Sequence, residues 1–361
     1  MLDLQACPQH PQLSLMSSTP DPNRRPNMQQ IANVAGVSKS AVSLALRNDP
    51  RIPESTRFRI QKIAEKMGYR RNPVVDSLMT QLRADRQPTF QANLGLINCS
   101  PTKDLKENHT FRRLREGVIR RAEQLGYGVE EFWLQQPDMR PERLKQIIET
   151  RGIRGLILMA ALDPDTIDES YSKIWYNFSC SVIGVTHLKN QLNCSSNDQY
   201  LTTRRATEKI LELGYQRPLM MIPANDDALL EDEFSSGFYS VTRRLAKKQQ
   251  LDLFDLNISD LSAALAAIKK HKPDVILTNK IELFTAMIES GLRVPEDVGV
   301  VHIDWHDGIP HLAGMRQNNR VVGSAGVDLV VGQLQKNESG ALEFPQVVHV
   351  ESAWIDGPSV R

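Results

Sequence analysis

Lys39, Ser40, Ser43 and Arg47 recur at helical spacing inside the segment MQQIANVAGVSKSAVSLALR, residues 28–47. On a helix they share one small, polar and basic face, with Ala41, Val42, Ala45 and Leu46 on the other. Short polar side chains flanked by cations suit base-edge hydrogen bonding and phosphate neutralisation on DNA. A second cluster is His302, Asp304 and His306, whose alternation puts them on one face of a strand, a pattern able to ligate a metal. Asn279 and Asp304 each follow an apolar run and offer directed hydrogen bonds to hydroxyls or ring nitrogens. The chain has no phosphate-binding P-loop, no dinucleotide glycine fingerprint and no Gly-x-Ser-x-Gly elbow.

The basic face needs a brace. Ile31, Ala32 and Ala35 give a short first helix its apolar side, and Gly36 supplies a turn in which positive φ costs nothing. Ser38 is placed to N-cap the second helix. Pro53-Glu54-Ser55-Thr56 opens a third, whose Ile60, Ile63, Ala64 and Met67 repeat as one buried stripe, with Gly68 as its C-cap. Pro73 ends the segment. Three helices closing on Val42, Leu46, Ile60 and Ile63 make a helix-turn-helix headpiece, and a fourth short helix is expected between Val74 and Leu82.

From residue 91 the pattern becomes alternating strands and helices. Leu94–Asn98, Gly155–Ala160, Ser181–Val185, Pro218–Ile222, Val275–Thr278 and Val298–Ile303 read as buried strands. Phe111–Leu125, Thr202–Leu213 and Ile281–Ser290 read as helices between them. Such βα alternation implies parallel sheets covered by helices on both faces, with ligands beyond the carboxyl ends of the strands.

Charge separates the two parts. The net charge of +1 hides 13 Lys/Arg against 7 Asp/Glu in residues 1–86 and 31 against 36 in the rest. The basic end is the end with the helix-turn-helix, as phosphate binding requires. The four cysteines have no CxxC spacing and are expected as free thiols in a reducing cytoplasm. There is no apolar run of about 18 residues, so no membrane span is expected, and residues 1–26 read as a proline-punctuated disordered tail without a secretion signal.

Ile31-Ala32, Ala35-Gly36-Val37-Ser38, Val42-Ser43, Thr56-Arg57 and Gly68-Tyr69-x-x-Asn72 together resemble the headpiece of the lactose-repressor (LacI/GalR) family of bacterial transcription regulators. Farther on, Asp198, Leu213-Gly214-Tyr215, Gly237-Phe238, Asn279, Gly291-Leu-x-Val294-Pro295-x-Asp297-Val298, Ile303-Asp304 and Gln317 resemble the core of the same family. The resemblance implies a small all-α helix-turn-helix headpiece plus an α/β periplasmic-binding-protein-like core of two parallel-sheet βα subdomains. The expected division is a tail at 1–26, headpiece at 27–72, hinge helix and linker at 73–90, and an effector-binding and dimerisation core at 91–361. Within the core, one lobe is expected at 91–188 plus 317–350 and the other at 190–316.

The implied function is a cytoplasmic, homodimeric, sequence-specific DNA-binding regulator, usually a repressor, needing no cofactor and performing no catalysis. Its partners would be a pseudo-palindromic duplex operator and a small effector, a saccharide by family habit. Ser38, Lys39, Ser40, Ser43 and Leu44 would meet base edges. Leu44, where many relatives carry Arg, could touch a thymine methyl but make no bidentate guanine contact. Arg47, Asn48, Arg57 and Arg70 would touch phosphates. Leu78 would wedge between base steps from the hinge helix. Phe111, Phe234, Asn279, Asp304 and Trp305 are the expected effector contacts, with Phe234 and Trp305 as an aromatic wall replacing polar residues common in the family. Two other readings compete: a cytoplasmic small-molecule-binding protein with a vestigial headpiece, and a metal-dependent enzyme using His302, Asp304 and His306.

Overall fold

The structure is a computed structural model that describes residues 28–46, 48–67, 90–101, 103, 108–159, 169–184 and 192–361. The expectations for the tail at 1–26, for Arg47, for the Gly68 cap, for Arg70 and for the hinge helix with Leu78 lie outside the described residues. The chain divides into two compact units, one up to Leu78 and one from Met79 onward.

The first unit holds α1 (Met28–Ala35), α2 (Lys39–Ala45) and α3 (Glu54–Lys66). Gly36 takes φ +67°, so the chain reverses there without a Cβ clash. Ser38 Oγ accepts a hydrogen bond from the backbone N–H of Ala41 at 3.1 Å, which caps α2. Ile31, Ala32, Ala35, Val42, Ala45, Ile60 and Ala64 form the buried core, with Leu46 and Ile63 packed half-buried at its edge. Small residues dominate that core, which lets three short helices pack closely.

The second unit contains two six-stranded sheets. The first sheet has the order β11-β5-β4-β3-β1-β2, where β1 is Ala92–Asn98, β2 Tyr127–Trp133, β3 Gly155–Met159, β4 Ser179–Ile183, β5 Asn193–Asn197 and β11 Val347–Val350. All its pairs are parallel. Helices α4 (His109–Gln124) and α12 (Asn319–Lys336) cover one face, where Leu114, Val118, Val322 and Val330 meet Leu96 and Ile157. Helix α5 (Pro141–Thr150) and the short α6 (Ser172–Trp175) cover the other, with Leu144, Ile148 and Trp175 on Leu156 and Leu158. Buried on both faces, the central strands β1 and β3 read as continuous apolar runs.

The second sheet has the order β12-β10-β9-β8-β6-β7, where β6 is Pro218–Ile222, β7 Phe254–Asp255, β8 Val275–Thr278, β9 Gly299–Trp305, β10 Ala313–Arg316 and β12 Ala353–Ile355. Only β12, which pairs with β10, runs antiparallel. Helices α7 (Gln199–Glu212), α8 (Ala224–Leu229) and α9 (Glu233–Thr242) lie before β7, and α10 (Ser262–His271) and α11 (Ile281–Glu289) flank β8.

The lobe limits differ from those the sequence suggests. Strand β5 falls in the range expected for the second lobe, yet pairs with β4 and β11 in the first. Its sequence, Asn193-Cys-Ser-Ser-Asn197, carries little apolar signal, and Ser195 bonds inward to α12, its Oγ donating to Val322 O at 2.7 Å. The chain passes between lobes three times, at Asp198, at Gln317–Asn318 and at Glu351–Ser352.

Helices α4 and α12 cross at unusually close range. A Cβ at Gly117 would collide with the backbone of Arg320, and one at Gly323 with the backbone of Leu114. Two glycines face each other's helix, so backbone touches backbone.

Candidate functional site

Two surfaces carry the candidate chemistry, one in each unit. In the first unit, Ser38, Lys39 and Ser40 stand exposed at the start of α2, with Ser43 and Leu44 half-buried one turn on. The helix therefore presents its polar start outward while Val42 and Ala45 anchor it. Asn48 takes φ 56° and closes the turn after α2. Arg57 Nη1 donates to Asn48 O at 2.9 Å, and Gln61 Nε2 donates to Asn48 Oδ1 at 2.6 Å. Arg57, expected from sequence only as a phosphate contact, thus also fixes α3 against the turn that follows α2.

In the second unit a cavity of about 430 Å³ opens between the carboxyl ends of the two sheets. Asn108, at the end of the loop after β1, caps α4 by accepting from the N–H groups of Thr110 (3.1 Å) and Phe111 (3.2 Å). That cap aims His109, Thr110 and Phe111 at the cavity. From the second lobe, β9 delivers His302 and Asp304 on one strand face, and His306 follows just past the strand's end; all three line the cavity. The lobes touch here. His109 Nε2 lies 3.1 Å from Asp304 Oδ2, the His109 and His306 rings stack at 4.0 Å, and Arg113 pairs with Asp307.

The same alternation corrects one expected contact. Strand β9 extends through Trp305, which pairs in register with Arg316. Trp305 therefore points opposite to Asp304, packs with Ile309 and Leu312, and donates from Nε1 to Leu312 O at 2.8 Å. It does not line the cavity, and no aromatic wall forms from it. Phe111, Phe234, Asn279 and Asp304 do line it. Phe234 and Phe111 are both buried and form apolar parts of the wall. Asn279 Nδ2 donates to Asp226 Oδ2 at 2.6 Å, and Lys280 Nζ lies 2.7 Å from the same oxygen.

Sequence reasoning missed the polar groups at the lobe crossings. Asn197 Nδ2 donates to Gln317 Oε1 (3.0 Å) and Asn319 Oδ1 (2.6 Å), and Gln199 exchanges hydrogen bonds with Gln317. Gln317 also donates to Ile303 O at 3.3 Å. All four amides line the cavity. Their signal in the sequence was a strand ending in Asn just before a capping Asp198, whose carboxylate accepts from Leu201 N–H at 2.8 Å.

Burial sets the protonation states. It pushes His302 down to about 4, and the imidazole stays neutral, with Nδ1 accepting from the Asp304 N–H at 3.3 Å. Burial also lowers His306, reinforced by nearby His109. Burial alone would raise Asp304, but its hydrogen bond to His109 and the attraction of that ring outweigh this and hold it below the usual carboxylate range. As a metal site the cluster fails: among the described residues no group of three or more His, Cys, Asp or Glu is arranged to hold an ion. Asp304 already serves His109, and His302 serves the backbone.

A headpiece of three short helices and a two-lobed α/β core recur together in known proteins. Residues 27–72 match the bacterial regulatory proteins of the lacI family, and residues 94–330 match the periplasmic binding proteins and sugar binding domain of the LacI family. The chain belongs to the lacI family of transcription regulators. Family members are regulators and not enzymes, which removes the metal-enzyme reading. Among relatives, the transcriptional regulator CelR of Thermobifida fusca is 22% identical over 296 residues, covering 78% of this chain and 82% of that one. The sucrose operon repressor of Escherichia coli is 23% identical over 299 residues, covering 79% and 86%. The fold is that of the lac repressor dimer bound to operator and the anti-inducer ONPF (TM-score 0.56, 19% identity, 93% of this chain and 99% of that chain). It is equally that of the CelR–cellobiose complex (TM-score 0.56, 16% identity, 93% and 100%). These likenesses support the two-sheet core and the helical headpiece, and no helix among the described residues is long and apolar enough to cross a membrane.

Proposed function

We propose that this lacI-family protein is a cytoplasmic, homodimeric regulator whose affinity for a pseudo-palindromic operator is set by a small hydroxylated ligand between its core lobes. The observation that carries this reading is the convergence of α4 and β9 on one cavity: His109 and Asp304 come from different lobes and meet at 3.1 Å. A ligand there contacts both lobes at once, so it stabilises one lobe arrangement over another. In a dimer, a change of lobe closure alters the separation of the two segments at 73–90 and hence the fit of two headpieces to two half-sites.

The proposed roles follow from placement. Ser38, Lys39, Ser40, Ser43 and Leu44 read base edges. Arg47, Asn48, Arg57 and Arg70 position the headpiece on phosphates, and Leu78 wedges the minor groove. Phe111, Phe234, Asn279 and Asp304, joined by Asn197 and Gln317, hold the ligand. Saccharide effectors find support in the cellobiose complex of CelR and in the sucrose operon repressor among the relatives.

Selection of bound sequences from random duplex DNA by the full chain tests this. Recovery of two inverted half-sites about 10 base pairs apart, with affinity changed by a cavity ligand, is the expected result. Failure to enrich any sequence, with or without ligands, overturns it.

A further inference from the structure

The lining of the interlobe cavity is unbalanced in charge. Among the described residues, Asp226, Glu282 and Asp304 face it against one ammonium, Lys280, and no guanidinium. Lys280 is already committed to Asp226, 2.7 Å away. His302 and His306 are held neutral by burial, so neither supplies a standing positive charge at neutral pH. An anion entering this cleft would lose its water and meet Asp304 without a partner of its own. A cation would gain from the focused negative field.

The unmet hydrogen bonds point the same way. Asn197, 8% exposed, spends its amide N–H groups on Gln317 and Asn319, which leaves Oδ1 without a partner. Asn279 spends its amide on Asp226, and its Oδ1 is likewise unpartnered. Asp304 gives Oδ2 to His109 and Thr110, and its Oδ1 has none. All three unmet atoms are acceptors, and an unmet buried acceptor demands a donor. The rings of Phe111 and Phe234 stand in the same wall, and an aromatic face attracts a cation.

We propose that the cavity takes a small hydroxylated amine, with its ammonium against Asp304 and its hydroxyls donating to Asn197 and Asn279. The proposal rests on the cavity being the effector site. It implies discrimination against phosphorylated and carboxylated relatives of the same ligand, because the described wall residues offer them no free cation.

Calorimetric titration of the full chain at pH 7 tests it with glucosamine, galactosamine and mannosamine, their parent hexoses, and the hexose 6-phosphates. At least one amine should bind about tenfold more tightly than its parent hexose, and the phosphates should not bind. Asp304→Asn should remove that preference. Glu282→Gln, an exposed change that leaves the fold intact, should weaken the amine about twofold to threefold. Equal or tighter binding of a neutral hexose or a phosphate, or no binding by any of the three amines, overturns the proposal. If a hexose or phosphate binds and shifts operator affinity, the ligand class is wrong and the effector site stands. If amine binding is unmoved by both substitutions, the amine sits elsewhere, and the reading of the cavity fails with it.

Discussion

Single residues in this protein act through the atoms they leave over. His302 uses Nδ1 on the Asp304 backbone and is buried, so it resists protonation down to about 4 against an ordinary 6.5. Between those values the unfolded chain binds a proton that the folded one refuses, so stability falls as pH falls through that window. At pH 5 the loss from this group is about 2 kcal/mol relative to pH 7.5. His302→Gln should keep that much more of its neutral-pH stability at pH 5, measured by denaturant unfolding. In the headpiece, Lys39→Ala should change which bases are preferred, read by repeating the DNA selection. Arg57→Ala should weaken all sequences alike and lower the salt slope by about 1. Because Arg57 also holds Asn48 O, the same change should cost the headpiece about 1 kcal/mol. Residue-level chemistry was legible where one periodicity governed it. The face of α2 and the shared strand face of His302 and Asp304 follow from spacing alone, whereas His306 lies just past the strand. Trp305 was misread because the strand runs two residues past its apolar stretch, and one further position reverses the side-chain direction.

At the scale of elements, the helices were the easier part. Gly36, Ser38 and Pro53 mark boundaries with their own backbone chemistry: α1 ends, and α2 and α3 begin, where those residues demand. Strand β5 was harder, since it is held by Ser195 and Asn197 side chains rather than by apolar packing. The polar amides at the lobe crossings were equally invisible, because their partners lie more than 100 positions away in the chain. The close crossing of α4 and α12 is the most sensitive joint between elements. Gly117→Ala improves helix propensity by about 1 kcal/mol yet drives a methyl into the Arg320 backbone. The balance should be a loss of about 2 kcal/mol in core stability, seen in chemical denaturation with the headpiece transition unchanged.

The whole molecule has two compact units of very different size. The headpiece core rests on seven buried residues, four of them alanines, whereas the core unit buries four extended clusters across two sheets. A domain of about 45 residues is marginal alone. Calorimetry should therefore show two transitions, the headpiece melting first, and a cavity ligand should raise only the second. One merged transition that shifts as a whole with ligand would show that the units unfold as one.

The three passages between lobes bear on how the protein is made. The first sheet is built from residues 92–197, but its outer strand β11 and its covering helix α12 come from residues 319–350. During synthesis, Leu96, Ile157 and Ile183 emerge long before Val322, Val327 and Val330 exist to cover them. The earlier lobe must wait on the ribosome, its apolar face open, until the later one has been translated. The chain is thus most dependent on chaperones over the stretch in which the second sheet is being made.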